Sequence, residues 1–403
     1  MCGRLGRPER AFPSVLVGGT NGKGSTAATL TAIAGAAGKR AGLYTSPHLI
    51  QATERVRVGE EDSSPELLDA ALARVFAAAD RSPELALTYF EAITAAAFLL
   101  FHDASVDLAI VEVGLGGRLD ATNVAPASLS IVTSIALDHM AELGDSLPAI
   151  AREKAGIFRR GRPALVRAAD AGAFAALAAE AERAGARLHD ASREIHVRAV
   201  STGLGGTEFD LETPLLRVRL KTPLAGAHQA WNAALAVRAA ELLPAELGAL
   251  APETAAKGLS RVRWAGRLER VASPRGRPVL LDGCHNPDGA RALADFLDDA
   301  GIAGRSPLVF GAMADKDVEG IAAALFPKVS EVVLVRAPGP RAAPPDELLG
   351  RVGALAAKVR TAPDLASALS LLDGPPAARD AAPIIVAGSL YLVGEARALL
   401  LGS

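Results

Sequence analysis

The chain has 403 residues, more than one hydrophobic core usually organises, so two or three domains are expected. Half of the residues are hydrophobic, only 4% are aromatic, and the formal net charge is −2. This composition argues against nucleic acid or anionic lipid as a partner, because it supplies neither a long-range field nor many rings for base stacking.

Ser14–Gly18 is a short apolar run ending in glycines. An Ala-rich stretch follows over residues 26–37, so the order reads strand, loop, helix. Further buried strands are expected at 107–113, 129–135 and 163–166, with enough residues between them for helical crossovers, which implies a parallel sheet. Residues 196–220 change to alternation with Gly-rich turns, the pattern of a small antiparallel appendage, and 227–243 is helical again. A second strand series at 279–282, 308–311, 332–335 and 384–388 alternates with Ala/Leu-rich helices. The expected architecture is therefore α/β. A phosphate-loop ATPase domain with a parallel sheet and the appendage spans 1–262, and a smaller Rossmann-like α/β domain spans 263–403.

Cys2 and Cys284 are too few for a disulfide framework and have no metal-ligand spacing, which fits a reducing cytoplasm. The first ten residues hold no signal-peptide core, and the longest apolar run, 92–101, is about half a membrane span. Only eight of the 43 basic residues are lysine. A lysine inside a motif therefore points to a need for a compact or modifiable amine.

Gly18-Gly19-Thr20-Asn21-Gly22-Lys23-Gly24-Ser25 has the parts of a phosphate cradle: convergent backbone N–H groups, a lysine, a hydroxyl and a helix N-terminus. It departs from the Walker pattern because Gly24 separates Lys23 from Ser25. Glu112 ends a buried strand where a carboxylate can hold Mg²⁺, and Gly114-Leu115-Gly116-Gly117 follows it; a solvated strand-end acid is the alternative. Taken singly, His48 and His139 read as satisfied polar residues and Lys154 as a helix-surface lysine paired with an acid. Asp282-Gly283-Cys284-His285-Asn286-Pro287 concentrates polar and turn residues after a strand, as a site loop does. Asp315-Lys316-Asp317 is either a similar loop or a solvated charged turn.

Taken together, several segments resemble folylpolyglutamate synthase/dihydrofolate synthase, a branch of the Mur ligase family. They are the phosphate loop, Thr45-Ser46-Pro47-His48, Leu87-Thr88-Tyr89-Phe90-Glu91, residues 112–123, Leu137-Asp138-His139 and Arg152-Glu153-Lys154-Ala155-Gly156. Residues 282–287 and Gly388-Ser389-Leu390-Tyr391 extend the likeness over nearly the whole chain.

The resemblance implies an ATP-dependent ligase that adds glutamate to dihydropteroate or a folate through an acyl phosphate. It also implies ATP and two Mg²⁺ as cofactors, small-molecule partners only, and a cytoplasmic monomer. By the same resemblance, ATP contacts fall to Thr20, Asn21, Gly22, Lys23, Gly24, Ser25, Asn232, Arg267, Asp282 and His285. Ser25, Ser46, Glu112, His139 and Lys154 form the metal set, with Lys154 carbamylated. Thr88, Phe90, Asp120 and Ala121 surround the pterin, and Ser389 and Tyr391 lie on the amino-acid side. Lys23, Lys154, His139 and His285 carry the catalytic roles.

Two departures stand out. Relatives usually carry a helical segment before the phosphate loop, and Cys284 takes a position where the family commonly has alanine. Another Mur-type amide ligase and a nucleotide-dependent switch protein are the competing readings.

Overall fold

The computed structural model describes residues 1–80, 86–373 and 382–402. Two compact units emerge. One comprises Met1–Ala199, Phe209–Thr222 and Ala230–Val262; the other comprises Val200–Glu208, Pro223–Gln229 and Arg263–Ser403.

The first unit is built on eight strands: β1 (Ser14–Gly18), β2 (Ala41–Tyr44), β3 (Val56–Val58), β4 (Glu61–Asp62), β5 (Leu108–Glu112), β6 (Leu129–Val132), β7 (Pro163–Val166) and β8 (Arg187–Asp190). Their spatial order is β4-β3-β2-β5-β1-β6-β7-β8. The strands β2-β5-β1-β6-β7-β8 run parallel, whereas β3 and β4 add an antiparallel edge. The sheet is therefore mixed at one side rather than wholly parallel, because Gly59-Glu60 is only long enough for a tight turn between β3 and β4. Every residue of β1, β5, β6 and β7 is buried, as expected of strands covered on both faces. Pairing of Val17 with both Glu112 and Ile131 brings the ends of β5, β1 and β6 to one edge.

Close packing under this sheet fixes Gly42 of β2. A Cβ there would lie 2.7 Å from the Phe101 ring, which is fully buried in the Tyr89–Asp103 helix and packs edge-on against Phe12 at 5.9 Å. Gly42→Ala is expected to cost about 1–3 kcal/mol through overpacking. Urea denaturation should show this as a lower midpoint with an unchanged slope, and an unchanged midpoint would contradict it.

A separate three-stranded sheet has β9 (His196–Gly203), β10 (Gly206–Glu212) and β11 (Arg217–Thr222) in the order β11-β10-β9. Its two connections are short enough to require antiparallel neighbours. Phe209, Leu211 and Leu220 are buried while Asp210, Arg217 and Arg219 are exposed, which gives the period-two alternation of a one-sided sheet.

In the second unit, β12 (Glu269–Ala272), β13 (Pro278–Asp282), β14 (Leu308–Phe310), β15 (Val332–Leu334), β16 (Val359–Thr361) and β17 (Ile384–Ala387) take the order β12-β13-β17-β14-β15-β16. All pairings are parallel except that of β12 with β13. Register pairs Asp282 with Ala387, so the loops after β13 and β17 leave the sheet side by side. Phe296, Phe310 and Phe326 fill the core, with Phe310 and Phe326 edge-on at 5.3 Å. Among the described residues, no helix is long and apolar enough to cross a membrane.

Candidate functional site

The loop after β1 is tied to the sheet edge beyond β6. Thr133 and Ser134, just beyond β6, do most of this. Asn21 N donates to Ser134 Oγ at 2.9 Å, while Thr133 Oγ1 and Ser134 Oγ donate to Asn21 O at 2.7 and 3.0 Å. Thr20 is locked by mutual bonds with Ala136, both of 3.1 Å. Gly19 has φ 138° and Gly22 has φ 84°, values at which a side chain is strained. A Cβ on Gly19 would meet Thr133 Oγ1 at 2.1 Å, and one on Gly22 would meet Asn232 Oδ1 at 2.4 Å.

Gly22 caps the Lys23–Ala36 helix, and no side chain caps it. The helix therefore begins with backbone N–H groups and the positive end of its dipole at the loop. Lys23 Nζ folds back to Thr20 O at 2.9 Å, and Ser25 is buried in the first turn.

Lys154 ends the Leu147–Lys154 helix, and the structure overturns its single-residue reading as a surface lysine. It is 5% exposed, and its Nζ donates to Gly19 O at 2.8 Å. Burial is the largest influence on this amine, followed by the Lys23 cation; together they lower its pKa from 10.5 to about 7, against the opposing pull of Asp138 and Asp120. A large neutral fraction thus exists at neutral pH.

Glu112 is equally buried at the end of β5, and its Oε2 accepts Ser46 N at 3.2 Å. The Ser46–Pro47 peptide is cis. His139 takes a left-handed backbone, φ 51°, before the Met140–Leu143 helix, and its ring lies 3.9 Å from both Asp138 and Glu142. The structure thus joins Lys23 and Lys154 to the loop and Ser46 to Glu112, while the ring of His139 stands among acids of its own segment. Among the described residues, no three His, Cys, Asp or Glu side chains gather as a metal cluster.

The loop after Glu112 is stapled to the helix that carries Lys154. Arg118 N donates to Glu153 O at 3.0 Å, and Arg118 Nη2 donates to Arg152 O at 3.1 Å. These contacts cap carbonyls at the helix C-terminus, where a cation is favourable. Asn123 Nδ2 bridges Arg118 O and Gly156 O, and Arg159 in turn holds Asn123. Gly156 is required because a Cβ would lie 2.4 Å from the Arg118 Cα. Asp120 Oδ1 accepts Thr122 N and Oδ2 accepts Leu115 N, both at 2.9 Å, and Ala121 begins the short turn beside it.

Thr88 forms a capping box with Glu91 at the start of the Tyr89–Asp103 helix, and Phe90 presses on Gly114 with its ring 6.1 Å from Tyr44. Thr133 and Ser134 carry no local sequence signal of this supporting role. Arg118 gains its role only from the contact between its loop and the Lys154 helix.

In the second unit, Asp282 organises the loop after β13. Its Oδ2 accepts Leu268 N and its Oδ1 accepts Cys284 N, both at 3.0 Å. His285 Nδ1 meets Gly283 O at 2.9 Å, and Asn286 caps the Pro287–Asp299 helix. Gly283 allows Arg267 to approach, since a Cβ would lie 2.3 Å from its Nη1. His228 also belongs here: burial lowers its pKa, against the pull of Asp282. Ser389 caps the Leu390–Leu401 helix through Tyr391 N and is buried, whereas Tyr391 is exposed. Burial raises the Cys284 thiol well above its ordinary pKa, which makes it inert at neutral pH.

A glycine loop between a central parallel strand and a helix N-terminus, with a strand-end carboxylate on the neighbouring strand, defines a phosphate-loop α/β protein. The comparisons carry this further. Residues 17–240 match the Mur ligase middle domain, and residues 266–390 match the Mur ligase glutamate ligase domain. The folylpolyglutamate synthase of Lacticaseibacillus casei is 34% identical over 405 residues, covering 99% of this chain and 92% of that protein. The dihydrofolate synthase/folylpolyglutamate synthase of Mycobacterium tuberculosis is 36% identical, covering 98% and 87%. The crystal structure of Mycobacterium tuberculosis folylpolyglutamate synthase complexed with ADP and AMPPCP has a TM-score of 0.91 at 36% identity, covering 99% of this chain and 93% of that one. The solved structure of E. coli FolC in complex with DHPP and ADP has a TM-score of 0.88 at 32% identity, covering 100% and 91%. The chain belongs to the Mur ligase family, in its folylpolyglutamate synthase/dihydrofolate synthase branch.

Proposed function

We propose that this chain uses ATP to join L-glutamate to dihydropteroate, to the γ-carboxylate of a folate, or to both. The observation that carries the reading is the buried Lys154 bonded to Gly19 at the base of the phosphate loop, in a chain that matches such ligases from end to end. ATP would transfer its γ-phosphate to the acceptor carboxylate, and the glutamate amine would displace phosphate from the resulting acyl phosphate.

Lys23 and the backbone N–H groups of residues 22–25 would hold the phosphates and spread the charge of the transferring group, while Thr20 and Asn21 shape the loop around the nucleotide. Asn232, Arg267, Asp282 and His285 would contribute to ATP binding. Thr88, Phe90, Asp120 and Ala121 would hold the pterin side of the acceptor, and Ser389 and Tyr391 the amino-acid side. No protein nucleophile is needed.

A buried carboxylate at a strand end suits Mg²⁺, which favours oxygen donors and retains water and phosphate in its other positions. Ser25, Ser46, Glu112, His139 and Lys154 would hold two such ions. Mg²⁺ would neutralise phosphate charge when bound. Lys154 would serve as a carbamate: the neutral amine attacks CO2, loses a proton and becomes an anionic oxygen donor. Arginine could not make this change. We take the enzyme to act as a cytoplasmic monomer.

The test is purified protein with ATP, Mg²⁺ and labelled glutamate, given dihydropteroate or tetrahydrofolate separately. Acceptor-dependent phosphate release with a labelled amide product is expected for at least one acceptor. ATP hydrolysis independent of glutamate, with no amide product, would favour the switch reading. Amide formation only with other acids would favour a different Mur-type ligase.

A further inference from the structure

Arg238, 6% exposed on the Ala227–Glu241 helix, sits at the centre of an ion network that the proposed reaction does not use. Its Nε and Nη2 both donate to Glu194 Oε2 at 2.8 Å, and its Nη1 donates to Glu241 Oε2 at 2.9 Å. Glu194 Oε1 also accepts His189 Nδ1 at 2.9 Å, and Glu241 accepts the hydroxyl of Thr213. Thr213 closes the turn between β10 and β11, where its N–H donates to Leu216 O at 2.8 Å. One helix is thereby bonded to β8, to the short Ala191–Glu194 helix and to the three-stranded sheet.

The rest of that helix offers little to fix its position. Ala230, Ala233, Ala234, Ala236, Ala239 and Ala240 are buried, with Leu235 and Val237 the larger apolar side chains among them. Methyl groups raise shallow ridges, so a slide along the axis or a small rotation meets weak steric resistance. A guanidinium fork held between two carboxylates is directional and resists both movements. A buried ion network adds little net stability and is better suited to setting register.

The same helix carries Asn232, about 9 Å along the axis from Arg238 at 1.5 Å per residue. Asn232 fills the space that Gly22 leaves by lacking a side chain, since a Cβ there would lie 2.4 Å from Asn232 Oδ1. Gly22 caps the helix at the phosphate loop, so a small displacement of the Ala227–Glu241 helix closes or opens this fit at the loop itself.

We propose that Arg238, gripped by Glu194 and Glu241, is a positioning residue that sets the register of its helix and so holds Asn232 against the phosphate loop for nucleotide binding. This rests on the reading of Asn232 as an ATP contact. The experiment uses the pair variant Arg238→Met/Glu241→Gln, which removes both buried charges together and keeps an acceptor for Thr213, so neither is left uncompensated in the core. ADP with Mg²⁺ is titrated by calorimetry into the wild type, the pair variant, Asn232→Ala and the combined triple variant. Thermal melts are recorded on each, and kcat and KM are measured for ATP and glutamate.

The pair variant should raise the ADP Kd and the KM for ATP about ten-fold, a size usual for coupling within one hydrogen-bonded network, with kcat and the KM for glutamate within about two-fold. Its melting temperature should stay close to that of the wild type. In the Asn232→Ala background the same pair should change the ADP Kd by less than about two-fold, because the contact it places is already gone. A merely structural network would lower the melting temperature and leave the ADP Kd alone, or act equally with and without Asn232; either result overturns the proposal. If the pair variant fails to fold, two milder changes carry the same readout: Arg238→Lys, which cannot span both carboxylates, and Glu194→Gln, at the partly exposed side of the network. Unchanged ADP binding in Asn232→Ala would reject the ATP contact and the proposal with it. Weakened binding there beside an unaffected pair variant would reject the positioning role alone.

Discussion

Lys154→Met is expected to lower kcat by about 10³-fold, the scale of several kcal/mol of lost charge stabilisation, while leaving the folded protein at least as stable as the wild type. The two halves of this expectation come from the same burial. A side chain 5% exposed whose ammonium is disfavoured by desolvation and by Lys23 contributes little to folding as a cation, and an unbranched thioether fills similar volume. A lysine at this buried position therefore serves chemistry at the loop and not packing. Activity assays and thermal melts on the same preparation test both halves. An active Lys154→Met enzyme would reject the role, and mass spectrometry of trapped wild-type protein should find the added CO2 on Lys154.

The pH dependence has a definite sign. The Lys154 pKa is about 7 when folded and 10.5 as a free side chain, so between those values the unfolded chain binds more protons. The stability associated with the neutral amine is fully present above 10.5 and is lost as pH falls towards 7, with no further change well below that. In CO2-free buffer without Mg²⁺, the advantage of Lys154→Met over wild type should grow from pH 10 to pH 7 and then level off. An advantage independent of pH across this window would show that Lys154 is not a desolvated amine.

This lysine also marks where the sequence stops being legible. The strand, glycine loop and helix at residues 14–36 can be read locally, because an apolar run, glycines and an Ala-rich stretch each have their own signal. Glu112 was readable as the end of a buried strand. Lys154 was not: the bond to Gly19 joins residues 135 apart, and an eight-residue helix has too few turns for periodicity to separate a buried last residue from an exposed one. The support given by Thr133 and Ser134 is of the same kind, since a hydroxyl pair after a strand gains meaning only when β6 lies beside β1. Short edge strands such as Glu61–Asp62 and Val359–Thr361 escaped because two or three residues carry no alternation to count. The family resemblance supplied residue roles that local pattern could not, and the geometry supplies reasons for Gly22, Gly156 and Gly283 that the resemblance does not contain.

Lys23→Met is expected to reduce kcat/KM for ATP by about 10²–10³-fold, the usual loss when one preorganised charge donor to a transferring oxygen is removed. The side chain is placed by the Thr20 carbonyl at 2.9 Å on a loop whose shape comes from Gly19, Gly22 and the Thr133–Ser134 pair, so the backbone cradle should survive the change. ADP binding, measured by calorimetry, should weaken less than catalysis, because N–H groups and the helix dipole remain. A second effect separates this lysine from an ordinary phosphate ligand. Its cation is the second-largest influence depressing Lys154, so its removal should raise the Lys154 pKa. The pH window over which stability changes should then narrow from its lower end, with the levelling-off displaced to higher pH than in the wild type. A variant with normal ATP kinetics would exclude Lys23 from phosphoryl transfer. A variant inactive in catalysis but with an unshifted stability profile would show that the two lysines act independently.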